Sequence, residues 1–153
     1  MKSFSNILVP IDFEPHSMGA VDAATDIARC YAASVTIAHV YEPRGRALVG
    51  GQGRLTADEL NQVIADLQQR LEAARRQMEA AGVPSVKTML LEGLAAPEIL
   101  HYAQKGSFDL IVVGTHGKSG IWHKLLGSVA EHVLREATCP VLTVRAREDS
   151  KAA

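Results

Sequence analysis

The chain has 153 residues, a formal net charge of -1, 22% charged and 47% hydrophobic residues, the balance of one globular domain that buries roughly two-thirds of its unfolded surface. These numbers exclude a second full domain, a disordered chain and a basic field for nucleic acid. No apolar stretch reaches the roughly 18 residues of a membrane span.

The amino terminus, MKSFSNILVPI, enters a strand without the apolar core of a leader, so a cytoplasmic protein is expected. The first apolar run covers residues 6–11, and Pro10 marks its end because proline cannot donate to a ladder in mid-strand. Ser17 is placed to cap a helix over residues 17–33 whose apolar face is Val21, Ala24, Ile27, Ala28 and Tyr31. A second strand follows at 35–40, and residues 42–55, rich in Gly, Arg and Pro, read as a mobile surface loop. Thr56 and Glu59 form a capping box for a long amphipathic helix along Leu60, Val63, Ile64, Leu67, Leu71, Ala74 and Met78, which Gly82 and Pro84 stop. Asp66 with Arg70 and Glu72 with Arg76 are spaced as ion pairs on it. A third strand at 86–91 precedes a short helix opened by Pro97 and closed by Gly106. The β-branched run 109–113 is a strand buried on both faces. The segment SVAEHVLREA then places Val129, Val133, Leu134 and Ala137 on one helical stripe. Val141 to Val144 form the last strand, and residues 147–153 read as a disordered tail. Cys30 and Cys139 read as small buried hydrophobes in a reducing compartment.

Strands alternating with helices predict a parallel α/β sheet, with a ligand crevice outside the carboxyl ends of the strands where the order of connection reverses. The segment GTHGKSGIWHKLLGS joins the fourth strand to the last helix: Gly114 and Gly117 lie three apart, nine residues intervene, and Gly127-Ser128 follow. Unpaired N–H groups at that helix start can hold an anion, and glycines let a loop approach it. On spacing alone, the segment fits a phosphate cradle and a plain strand-to-helix loop equally. The Walker A pattern fails, because Gly117-Lys118-Ser119 would put its first glycine on Val112. The dinucleotide fingerprint fails too: Gly50, Gly51 and Gly53 follow no strand.

With these motifs in place, the chain resembles the universal stress protein family over residues 6–145. The ATP-binding members carry Gly-x2-Gly-x9-Gly-(Ser/Thr), matched by Gly114, Gly117, Gly127 and Ser128; ILVPIDFEPHS resembles the family's first strand through Pro10 and Asp12, and AHVYEP its second through Val40. The resemblance implies a Rossmann-like fold, strand order 3-2-1-4-5, and a homodimer paired through the last strand, Val141 to Val144. The unprotected apolar edge VLTVR points weakly the same way. The resemblance further implies that main-chain groups near Asp12 and Val40 hold adenine, with Pro10 also in the binding set, that N–H groups from Gly117 to Gly127, Ser128 and Val129 hold the phosphates of ATP, and that Asp12 faces Mg²⁺, or Mn²⁺, on those phosphates.

His116, Lys118, His123 and Lys124 lie on the loop as either phosphate-neutralising or solvated residues. Glu14 and Ala130 depart from the family's pattern, which often has a small hydroxyl residue at the first position and in some ATP binders threonine at the second. His39 and His101 read as structural or exposed, and the spacing of His116, His123 and His132 matches no common metal signature. Three functions compete: a dimeric ATP-binding regulatory module with an unknown protein partner, a nucleotide-free dimer, and a slow ATPase or self-phosphorylating protein. Against the last, no acid/base or nucleophile set accompanies the loop beyond Asp12 and Glu14.

Overall fold

Five parallel strands in the order β3-β2-β1-β4-β5 form the sheet, with β1 at Asn6–Pro10, β2 at Ser34–Tyr41, β3 at Ser85–Glu92, β4 at Leu110–Thr115 and β5 at Val141–Arg145. The structure is a computed structural model that describes residues 3–43, 55–115 and 127–145. His116, Gly117, Lys118, His123 and Lys124 fall outside the described residues, as do nearly all of the expected 42–55 loop and the expected 147–153 tail. Four helices link the strands: α1 (Pro15–Tyr31), α2 (Ala57–Ala80), α3 (Ala95–Lys105) and α4 (Ser128–Glu136).

Because successive strand residues face opposite sides, the central strands supply two cores. Ile7, Val9, Val35, Ile37 and Val112 pack with Val21, Ala24 and Ala28 of α1 and Leu71, Ala74 and Met78 of α2. Leu8, Ala38 and Ile111 pack on the other face with Ile99 and Ala103 of α3 and Val133 of α4. The result is the doubly wound sheet expected from the alternation of elements. No helix among the described residues is long and apolar enough to cross a membrane.

Several expected details are corrected. Helix α1 starts two residues earlier than Ser17, at Pro15, with Glu14 as N-cap. The fixed φ of proline suits the first helical position and its missing N–H costs nothing there. Ser17 therefore lies inside the first turn, buried, with its hydroxyl turned to Asp12. Tyr31 is 45% exposed and lies edge-on to Phe4, centroids 5.5 Å apart. Cys30 is exposed rather than buried, beside Asp22, Asp26 and Arg29 on the solvent side of α1, and both it and half-buried Cys139 are free thiols. Helix α3 begins at Ala95, so Pro97 is its third residue rather than its first. On α4 the buried residues are Ala130 and Val133, while Leu134 is 49% exposed and Ala137 lies past the helix end.

Helix α2 keeps its sequence signature. The Thr56 hydroxyl accepts from the Glu59 amide at 3.2 Å and the Glu59 carboxylate accepts from the Thr56 amide at 2.7 Å, closing the capping box. Thr56→Ala is expected to lower stability by about 1 kcal/mol, read as a shift in the urea midpoint at constant m-value. Glu72 pairs with Arg75, and at 3.6 Å with Arg76. Arg70, spaced to meet Asp66, lies with its guanidinium carbon 4.3 Å from the centre of the Phe13 ring.

Candidate functional site

The order of connection reverses between β1 and β4, and there the two strands share only a short ladder, Ile7 with Leu110 and Leu8 with Ile111. Beyond it a cleft opens at the carboxyl ends of the strands. Of the residues singled out in the sequence, Pro10, Asp12, Val40, Gly114, Gly127, Ser128 and Val129 line this cleft. His116, Gly117 and Lys118 lie outside the described residues. The fold adds His16, Ser17, Ala38, His39, Ala95, Ile99 and Ala130 to the lining. The sequence offers no sign of His16 and marks Ser17 only as a cap, because a helix start two residues early is what turns both inward. Ala95 and Ile99 belong to a helix whose position over the crevice no local motif encodes.

One part of the lining is apolar and another is polar. Ala38 and Val40 of β2 and Ile99 of α3 offer a surface suited to a flat, weakly polar group. Across from them, α4 starts at Gly127, which has φ -62 and ψ 154 and makes no side-chain cap. The Glu131 amide donates to the Gly127 carbonyl at 2.9 Å. The amides of Ser128, Val129 and Ala130 precede that first intrahelical bond, so they carry the orphan donors and partial positive charge of a helix start.

Asp12 sits between these regions in a dense set of donors. Its Oδ1 accepts from the Ser17 hydroxyl and from the Glu14 amide at 3.0 Å, its Oδ2 lies 3.0 Å from His16 Nε2, and its own amide donates to Ser17 Oγ at 3.0 Å. Partial burial opposes ionisation of the carboxyl, but the Ser17 hydroxyl, the Glu14 amide and the charge on His16 together hold it below the usual aspartate range. Glu14 meets Asp12 through its backbone amide; its side chain is exposed and does not line the cleft.

His39 is half-buried, and its Nδ1 lies 2.7 Å from the Ile11 carbonyl. A carbonyl only accepts, so Nδ1 carries the proton. Burial pushes the imidazole below the ordinary histidine value, which leaves the ring neutral at physiological pH. Phe13 lies against this ring at 4.7 Å and adopts a φ of 65°, a left-handed conformation that a bulky side chain rarely takes.

A resident metal finds a sparse donor set. Among the described residues no three His, Cys, Asp or Glu side chains gather as ligands. Asp12 has both lone pairs of Oδ1 engaged and one of Oδ2, so it can offer a single further lone pair. One carboxylate fits Mg²⁺ when phosphate and water supply the remaining ligands.

Residues 3–145 match the family model described as the universal stress protein family. Universal stress protein MJ0531 of Methanocaldococcus jannaschii is 37% identical over 147 residues, 93% of this chain and 82% of that protein. Universal stress protein YxiE of Bacillus subtilis is 37% identical over 152 residues, 93% of this chain and 99% of that protein. The crystal structure of a universal stress protein in complex with cAMP superposes with a TM-score of 0.73 at 28% identity, covering 95% of this chain and 99% of that one. A match along nearly the whole chain, in sequence and in strand order alike, means that this protein belongs to the universal stress protein family.

Proposed function

We propose that this protein is a nucleotide-binding stress-response module that holds ATP in the cleft between β1 and β4 and acts as a homodimer. The observation that carries the reading is the pairing of an apolar wall at Val40 with the uncapped start of α4 at Ser128 in one cleft. Those are the two chemistries that an adenine ring and a phosphate chain require. The cAMP complex of a 28% identical relative adds support, because cAMP carries the same base and a phosphate. Val40 and main-chain groups near Pro10 and Asp12 take the base. The amides of Gly127, Ser128 and Val129, the Ser128 hydroxyl, and the loop residues His116, Gly117 and Lys118 take the phosphates, with Gly114 of β4 lining the approach. Mg²⁺, or Mn²⁺, on those phosphates would use the free lone pair of Asp12. Edge strand β5, half-buried and with Leu142 38% exposed, would pair with its counterpart in the second subunit.

Denaturing extraction of freshly purified protein, with the nucleotide identified by mass, and titration of ATP–Mg²⁺ into the stripped protein test the reading together. Recovered ATP or saturable binding is the expected result; the absence of both co-purified nucleotide and binding at millimolar ATP overturns the reading. Gly127→Val supplies the local test. Its φ of -62 suits any residue, so the fold stays intact while a side chain enters the space the phosphates need, and affinity should fall by about tenfold or more. Unchanged affinity in a folded variant removes the cradle from this position.

A further inference from the structure

Phe13 follows Asp12 in the turn between β1 and α1; its left-handed backbone is spanned by the Glu14 amide on Asp12 Oδ1 and its ring is held from outside the turn. Such a conformation costs of order 1–3 kcal/mol in a non-glycine residue and persists only where its surroundings impose it. Two contacts hold the ring. The Arg70 guanidinium of α2 lies 4.3 Å from the Phe13 ring centre, and the His39 imidazole of β2 lies 4.7 Å from it at a 43° tilt. His39 is tied back to the same turn by donating from Nδ1 to the Ile11 carbonyl at 2.7 Å. The Ile11 amide in turn donates to the Ala38 carbonyl at 2.8 Å. Asp12 is thus flanked by two residues, Ile11 and Phe13, that β2 and α2 fix in place. Asp12 belongs to neither β1 nor α1, so the turn sets its backbone while Ser17 and His16 of α1 hold its carboxylate.

We propose that Arg70, Phe13 and His39 form a latch that sets the β1–α1 turn, and with it Asp12, in the ligand-binding position, making the three positioning residues for the cleft. The proposal rests on the cleft being a nucleotide site. Arg70 is exposed on α2 and is not among the cleft-lining residues, so it acts on the cleft through the Phe13 ring it covers and through its charge near His39. The latch also ties α2, which follows the 44–54 segment, to the rim of the cleft.

The test uses the full chain, with ATP–Mg²⁺ and AMP as probes. Arg70→Met keeps length and apolar contact but removes the cation; it should raise Kd about three-fold while the melting temperature moves little, as expected for one partly exposed cation–π contact. Phe13→Leu, which loses both ring contacts, should raise Kd about tenfold, and Phe13→Tyr should restore it. With Phe13→Leu in place, adding Arg70→Met should cost little further, the coupling expected of residues acting in series. Nitrogen-15 spectra of the ligand-free protein give a second readout: the Asp12 and Glu14 amides should shift in Arg70→Met, and the His39 Nδ1–H signal should weaken in Phe13→Leu. A wild-type protein that binds while the variants bind equally well, with unmoved Asp12 and Glu14 amides, overturns the latch. A wild-type protein that binds neither probe overturns the nucleotide reading, and the ligand-free spectra then decide the latch independently: unmoved amides overturn it, shifted amides uphold the turn it describes.

Discussion

Gly114→Val should unfold or severely weaken the protein and abolish nucleotide binding together. A Cβ built at Gly114 falls 2.3 Å from the His16 carbonyl oxygen, 2.7 Å from its carbonyl carbon and 3.0 Å from the Ser17 nitrogen. All three atoms are backbone, so no rotamer change relieves the overlap. Either the end of β4 or the first turn of α1 must move. Enforced overpacking of this kind costs about 3 kcal/mol or more, a large share of the 5–15 kcal/mol that holds a domain folded. Displacing α1 also displaces Ser17, and Ser17 holds Asp12. Urea denaturation and ATP titration of Gly114→Ala and Gly114→Val should fall in that order in both properties. Wild-type stability in Gly114→Ala would show that the β4–α1 contact yields easily. The first glycine of the family's motif is accordingly a packing residue here, required by the approach of two backbones.

Asp12→Ala should remove about 2 kcal/mol of stability as well as affinity, because a buried Ser17 hydroxyl and the Glu14 amide lose their acceptor together. The effect carries a pH signature of definite sign. The folded carboxyl titrates below its unfolded counterpart near 3.9. Its stabilisation is therefore complete above that unfolded value and is lost as pH falls through the lower, folded one. Measured between pH 7 and pH 3, the stability gap between wild type and Asp12→Asn should be constant down to about pH 5 and narrow below it. A gap that widens with acid would mean that Asp12 is held protonated.

Much of the architecture could be read from residue order, since β-branched runs such as 109–113 and stripes such as Leu67, Leu71, Ala74 and Met78 encode their own period and burial. Pro10 and Val40 are legible as strand ends, Asp12 lies two residues beyond the end of β1, and the strand order brings all three to one cleft. The reading failed where a local signal competed with a tertiary one. Ser17 has the chemistry of a cap, but Pro15 starts the helix first and frees the hydroxyl for Asp12. Leu134 fits the apolar stripe of α4, yet this helix of 9 residues packs beside Ile99 and Ala103 of α3 through Val133 and leaves Leu134 exposed. His39 and Arg70 were invisible as a pair because 30 intervening residues separate two side chains that meet on one ring.

The short ladder between β1 and β4 divides the sheet unevenly. β2 is zipped to β3 over eight residue pairs and to β1 over five, and β4 to β5 over five, whereas the central seam has two. The seam is narrow in its backbone ladder, while α1 packs across it on β1, β4 and β5, with Val40 on one side and Ser128 following the strand on the other. A molecule that touches both residues is a cross-brace on the open end of the seam. Occupancy there would raise the cost of opening the seam, beside the contribution that the two shared cores already make.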